Sequence, residues 1–300
     1  CTLVLILFVS HFSSAENDDV IPLLSIEGAN WNAEETAYIK DLNQKGRLKI
    51  ATKVSSAVYF PQSDGSVSGF HYNVLKEFAE LAKVKIDIQL VEWDDYFYKE
   101  GESLEKAKSD PSYTYEPTLI NEVDLYIDGI SPLEWRLKMF NLVKYVPTRQ
   151  LLVTRKGNVP ARLTDLNNKI CAMVKNTSMA HNLDQITRSK NLQFSYLYTD
   201  HFDDMDRLVA AGKADFTVYD SDRAFAALKR FKNLTIAWPI TNPSVMGWAV
   251  AKRDITLKSV LDKYIKYAQE TEILDKYWKK SYGVTFIDYL KILKLGEPAY

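Results

Sequence analysis

Four places in this 300-residue chain combine residue types that can hold a small charged molecule. The first is Arg136 in "VDLYIDGISPLEWR", where an apolar run stops at Asp128, Gly129 and Ser131 and an arginine follows. A guanidinium in that position can fork a carboxylate through two parallel hydrogen bonds. The second is Thr177 and Ser178 in "KNTS", a hydroxyl-rich helix start whose free N–H groups favour an anion. Asp220, at the end of "ADFTVYD", is the third, and its carboxylate can balance an ammonium. The fourth is Lys53 after "RLKIAT", with Ser55, Ser56, Tyr59 and Phe60 close behind it. Together they describe a receptor for a zwitterion. Each has an ordinary alternative: Arg136 as a solvated surface charge, Thr177 as an N-cap, and Asp220 as the cap of the helix after it.

These residues share one property: each follows a strand-like run. In open α/β sheets, ligands sit beyond the carboxyl ends of the strands, so the elements must place all four at one edge. The pattern predicts this. "RLKIAT" reads as a strand, "HYNVLKEFAELAK" as a helix with Val74, Leu75, Phe78, Leu81 and Ala82 on one face, and "VKIDIQLV" as a strand. That is a β-α-β unit with parallel strands. A polar stretch at 94–120 reads as a helix fragment and a long loop. "VDLYID" and "QLLVTRK" follow as strands, and "KICAMV" opens a second alternating series through "MAHNLDQIT", "QFSYL", "DDMDRLVAAG", "ADFTVYD" and "DRAFAALKRF". Before the first strand, "NWNAEETAYIKDLNQKG" predicts a helix capped by Asn32 and stopped by Gly46. The segment from Leu257 to Gly283 predicts one or two amphipathic helices. Two α/β lobes are the expected architecture.

Composition narrows the function classes. Thirty-eight basic and 39 acidic residues leave a formal charge of -1, so there is no footprint for nucleic acid. Four histidines without metal-ligand spacing give no metal signal, and no phosphate loop or nucleophile elbow is present, so no cofactor is called for. The start, "CTLVLILFVSHFSSA", carries no charge and ends in small residues, which reads as a signal peptide over residues 1–15. Its apolar run of about 12 residues is too short to span a bilayer. Cleavage there would leave Cys171 as the lone cysteine, with no internal disulfide.

Residues 46 to about 283 resemble the family 3 extracellular solute-binding proteins of the amino-acid-binding type. The resemblance is carried by "SGFHYNVLKEFAELAKVKIDI", "VDLYIDGISPLEWR", "YVPTRQLLVTRK", "LNNKICAMVKNTS", "LVAAGKADFTVYDSDRAFAAL", "MGWAVAKRD" and "ILDKYWKKSYG", in that order. It implies a two-lobed α/β fold of the periplasmic-binding-protein type (type II, Venus-flytrap). One lobe would be residues 46–146 with 243–288 and the other 149–240, joined by hinge crossovers at "VPT" and "ITN". A lead at 16–45 and a tail at 289–300 would flank them. It further implies that Arg136 and the Thr177 and Ser178 amides hold an α-carboxylate, that Ser131 helps, and that Asp220 holds the α-amino group. Asp128, Gly129, Lys53 and Tyr59 complete the expected site. The chain departs from the family pattern in "SSAVYFP", where Tyr59 or Phe60 would supply the aromatic wall, and in His71, which stands in place of an aspartate. Lys53 stands where binders of cationic amino acids carry an acid, which argues against a lysine-like ligand.

The resulting expectation is an exported, monomeric, non-catalytic protein in the periplasm or outside the cell. It would capture an amino acid or similar small carboxylate and present it to a membrane transporter or receptor. Two other readings stand beside it. One is the ligand-sensing module of a receptor. The other is an enzyme: a dehydratase of the cyclohexadienyl type using Asp128 and Glu134, or a lytic transglycosylase, whose lysozyme-like domain the remaining residues could not build. Mass spectrometry of the exported protein should find the mature N-terminus within a few residues of Glu16, and a retained apolar start in a membrane fraction would overturn the export reading.

Overall fold

The structure, a computed structural model, describes residues 20–293; the segment expected to be a signal peptide lies outside them. The chain begins with α1 (Ala33–Lys45) and β1 (Arg47–Thr52), followed by a small hairpin of β2 (Phe60–Pro61) and β3 (Val67–Ser68). Next come α2 (Phe70–Leu81), β4 (Lys85–Leu90), α3 (Leu104–Ser109), β5 (Leu125–Ile130), α4 (Glu134–Met139) and β6 (Phe140–Thr148). The second run is β7 (Gln150–Arg155), β8 (Ile170–Met173), α5 (Ser178–Lys190), β9 (Ser195–Tyr198), α6 (Phe202–Ala210), β10 (Phe216–Asp220), α7 (Ser221–Arg230) and β11 (Leu234–Pro239). The chain then returns through β12 (Ser244–Ala251) and ends in α8 (Ile255–Glu270), α9 (Ile273–Tyr282) and α10 (Phe286–Leu293).

These strands build two five-stranded sheets, ordered β4-β1-β5-β12-β6 and β11-β7-β10-β8-β9. β1 lies parallel to both β4 and β5, as a β-α-β unit requires, while β12 runs antiparallel to β5 and β6. The carboxyl ends of β1 and β5 therefore deliver Lys53 and Asp128 to one edge, and those of β8 and β10 deliver Thr177 and Asp220. Local chemistry sets the boundaries. The Asn32 side chain accepts from Glu35 N at 2.8 Å while the Glu35 carboxylate accepts from Asn32 N at 2.8 Å, and Gly46 ends α1 at φ 66°. Strands β6, β11 and β12 and the short α4 go beyond the elements read from the sequence. β12 is a continuous buried run, a pattern that periodicity alone cannot separate from a buried helix.

The lobes are joined at two adjacent crossovers, Thr148 to Gln150 and Pro239 to Ser244. Ile240 N donates to Gln150 O at 2.8 Å, and Gln150 N donates to Thr241 Oγ1 at 2.9 Å. The tail expected from residue 289 begins inside α10, which packs against this junction. Tyr289 is fully buried on Trp278, with ring centroids 4.2 Å apart, and its hydroxyl lies 2.6 Å from both Pro147 O and Ser221 Oγ. Among the described residues, no helix is long and apolar enough to cross a membrane.

One backbone position fixes the start of α2 beside the site. Gly69 has φ 123°, and a Cβ there would stand 2.2 Å from the Val58 carbonyl oxygen. This close approach lets Phe70 N and Tyr72 N bond to Ala57 O and Val58 O at 2.9 and 3.1 Å, anchoring the loop after β1. Gly69→Ala should lower stability by about 2 kcal/mol through strain and backbone displacement, read as a lower thermal midpoint; an unchanged midpoint would show that the loop yields freely.

Candidate functional site

Arg136 stands in the single short turn of α4 after β5, and it is completely buried. The surface-charge alternative is thereby excluded. Its guanidinium donates to Asn176 O at 3.0 Å and to Ser131 O at 3.4 Å, one carbonyl from each lobe. Three indole and phenyl rings enclose it: Trp135 at 4.9 Å, and Trp93 and Phe97 at 5.1 Å. Among the described residues, no carboxylate lies within ion-pairing distance of it, and its Nε has no partner. Burial pulls its pKa down to about 9, with Asp220 and Asp128 opposing from further away, so it remains charged at neutral pH.

Beside it runs a chain of neutral polar groups. Ser131 Oγ lies 3.0 Å from Ser178 Oγ, which accepts from Gln150 Nε2 at 3.1 Å, and Gln150 Oε1 accepts from Asn182 Nδ2 at 3.0 Å. Thr177 does cap α5, its hydroxyl accepting from Ala180 N at 3.1 Å, so the simple N-cap reading holds for its side chain. Asp220 occupies the corresponding position before α7, but its side chain makes no cap. It is buried, and among the described residues it has no cationic partner. Burial and the neighbouring Asp222 push its carboxyl up to about 7, against Arg223, Gln150 and Arg136.

The other candidates form a second cluster. Lys53 Nζ is 2.8 Å from Asp128 Oδ2, Arg223 reaches across from α7 to Asp128 Oδ1 at 3.0 Å, and Arg223 also donates to Ser55 Oγ at 2.9 Å. Lys53 Nζ stands 3.8 Å from the Phe202 ring centroid and 4.6 Å from that of Trp93. Burial lowers the Lys53 ammonium to about 8, although Asp128 pulls the other way. Burial also pushes the Asp128 carboxyl up, but its two cations outweigh this and hold it below the usual range. Gly129 N donates to Asp128 Oδ1 at 2.7 Å, and a Cβ on Gly129 would stand 3.1 Å from Met246 Sδ. Tyr59 is half-buried and packs edge-on against Tyr72, 5.2 Å between centroids, rather than on either cluster. His71 is a buried neutral residue, its ring held to about 3 by burial. Its Nδ1 accepts from Trp248 Nε1 at 3.2 Å and pairs with Tyr145 Oη at 2.7 Å, so the proton sits on Nε2.

Comparison with known proteins was informative at the level of fold. No family model matches the chain. Among curated proteins it resembles membrane-bound lytic murein transglycosylase F of Saccharophagus degradans, 24% identical over 256 residues, covering 84% of this chain and 48% of that protein. The same enzyme from Aliivibrio fischeri is 24% identical over 280 residues, covering 89% and 52%. The chain thus spans about half the length of the curated relatives it matches. Among solved structures it superposes on a mutant of ArgBP from T. maritima with TM-score 0.64 at 21% identity, covering 82% of this chain and 99% of that one. The amino acid ABC transporter substrate-binding protein AbpA from Streptococcus pneumoniae, bound to L-arginine, gives TM-score 0.64 at 18% identity, with 81% and 98% covered. The fold is the two-lobed α/β fold of the periplasmic-binding-protein type.

The expectation of a non-catalytic protein is corrected by the same comparison, because the curated relatives are named as enzymes, lytic murein transglycosylases. The argument against a lytic transglycosylase, the number of residues left for a second domain, is removed by a match to about half of each relative.

Sequence reasoning missed Arg223, Trp93, Asn176, Gln150 and Phe202. Arg223 had a signal, lying three residues beyond Asp220 in the first turn of the next helix; Trp93 follows β4 as Lys53 follows β1. Asn176 had none, since it contributes a main-chain carbonyl. The raised Asp220 carboxyl has a consequence for stability. Its folded pKa of about 7 exceeds the unfolded carboxylate value, so between about pH 4 and 7 the folded state binds a proton that the unfolded state does not. Stability from this group is fully present at low pH and is lost as pH rises through about 7. Asp220→Asn should therefore raise the ligand-free thermal midpoint more at pH 8 than at pH 5; an equal effect at both would show that Asp220 is already ionised in the fold.

Proposed function

We propose that these lobes capture a small molecule bearing a free carboxylate and an ammonium, an amino acid in the simplest case, in the cleft between them. The observation that carries this reading is Arg136, a fully buried guanidinium that two carbonyls and three rings hold among the described residues. A buried cation without an anion is costly, and a ligand carboxylate would relieve it through the unused donors. Ser131, Ser178 and the amides at the start of α5 supply further donors around the same point. Asp220, buried and without a cation, is the matching acceptor for an ammonium. Closure over the ligand would hide it from water, and the closed lobes would present a new surface to a membrane transporter or receptor. Export to the periplasm or beyond is part of this reading.

A second reading follows from the curated relatives. The lobes would serve as the ligand-binding part of a protein that acts on murein, and the captured carboxylate would come from a murein fragment. Both readings use the same anion site. Arg136→Met keeps the volume and removes the charge. It should weaken binding of the responding ligand by about 2 kcal/mol or more, roughly 30-fold, while the ligand-free thermal midpoint holds or rises, since an unpaired buried charge has been removed. Calorimetry with amino acids and with soluble murein fragments would identify the ligand, and unchanged affinity in the variant would refute the role of Arg136.

A further inference from the structure

We infer that Lys53 and Arg223 form a second anion anchor in the cleft, so that the ligand carries two carboxylates, as an acidic amino acid does. This rests on the reading that Arg136 holds the first. The geometry at Asp128 motivates it. Two cations converge on this one carboxylate, Lys53 at 2.8 Å from one oxygen and Arg223 at 3.0 Å from the other. All three groups are buried, Asp128 completely and the two cations to more than nine-tenths. The cluster therefore holds one positive charge more than it neutralises, away from water, where such an excess is unfavourable until an anion joins it.

The other acids nearby do not supply that anion. Asp203, which faces the pair from α6, is held by Ser56 and by Arg230 at 2.9 Å, a guanidinium it shares with Asp206, and among the described residues it makes no ion pair with Lys53 or Arg223. Asp222, next to Arg223 on α7, makes no ion pair with it among the described residues, and burial pushes its carboxyl towards the neutral form. Asp220 lies at the start of the same helix and is the proposed ammonium acceptor. With Asp220 neutralised by the ligand amine and Arg136 by its α-carboxylate, Lys53 and Arg223 still face a single Asp128.

The spacing suits one small molecule. Lys53 Nζ is 4.6 Å and the Arg136 guanidinium carbon 5.1 Å from the same Trp93 centroid, so the two cationic centres are at most about 10 Å apart. Two carboxylates of one small molecule can reach two cations within that limit. The two cations also belong to opposite lobes, Lys53 following β1 and Arg223 lying in α7, so an anion between them would bind only when the lobes are shut. Cationic side chains would meet like charge there, which excludes ligands of the arginine type.

Calorimetry of the full chain with L-glutamate and L-aspartate against L-glutamine and L-asparagine tests this, because acid and amide differ at one group only. The acids should bind at least about tenfold tighter than their amides. Lys53→Met, which leaves the pair between Arg223 and Asp128 intact, should abolish that difference while amide binding persists, and Lys53→Arg should restore it. If amides bind as tightly as acids, or arginine binds more tightly than either, and binding still requires Arg136, the second anchor is refuted while the carboxylate reading stands. If neither an amino acid nor a soluble murein fragment binds, or binding is indifferent to Arg136→Met, both fail.

Discussion

A guanidinium taken entirely out of water must be held by something, and at Arg136 the something comes from both lobes. Ser131 O belongs to the loop after β5 and Asn176 O to the turn before α5. Asn176 can aim that carbonyl because it sits at φ 59°, in the left-handed region that asparagine tolerates better than most residues. The same oxygen accepts from Trp93 Nε1 at 3.1 Å, and the Asn176 side chain bonds Asp94 at 3.0 Å and Lys108. One residue in the left-handed region thus ties the second lobe to four residues of the first, Arg136, Trp93, Asp94 and Lys108. The closed arrangement of the lobes and the environment of the arginine are one feature.

The rest of the cleft follows from that closure. With the lobes together, Arg223 reaches Asp128 and Ser55, Phe202 lies under Lys53, and Ser56 meets Asp203. Each contact crosses the cleft, and several involve charges that would be hydrated if the lobes parted. Behind the cleft, Ser221 follows Asp220 directly, and its hydroxyl joins Thr148 Oγ1 at 3.1 Å and Tyr289 Oη at 2.6 Å. The proposed ammonium acceptor is therefore covalently adjacent to the point where both crossovers and α10 meet. A change in the charge of Asp220 and a change in the angle between the lobes act on the same few residues.

Much of the architecture was legible because it is local. The helix cap at Asn32, the stop at Gly46, the β-α-β alternation and the apolar face of α2 depend on residues within a turn or two of each other. The strand ends carrying Lys53, Asp128, Ser131 and Asp220 were legible for the same reason. What escaped was set by distance. β12 joins the first lobe only after the second has been built, and its register against β5 and β6 comes from packing that no neighbour encodes. The pairing of Asp128 with Arg223 spans 95 residues, and that of Trp93 with Asn176 spans 83. Arg136 itself could be read as a candidate, but its burial could not, since that depends on Trp93 arriving from just beyond β4 and Phe97 from the polar segment at 94–120.

The comparisons place this chain between two kinds of protein. Solved structures that share the fold include an arginine-bound transporter component, while the sequence relatives are enzymes acting on murein. Fold cannot choose between them, because the same two lobes serve both and function resides in the site. The charges at Asp128 bear on the proposed ligand. A carboxylate is the natural partner for a cationic ligand side chain, yet both oxygens of Asp128 here are occupied by the chain's own cations. Freeing that carboxylate would require displacing the buried Lys53, whose ammonium lies over the Phe202 and Trp93 rings. The closed cleft thus carries positive charge of its own at that position, and the proposed preference for a ligand that brings negative charge there rests on it.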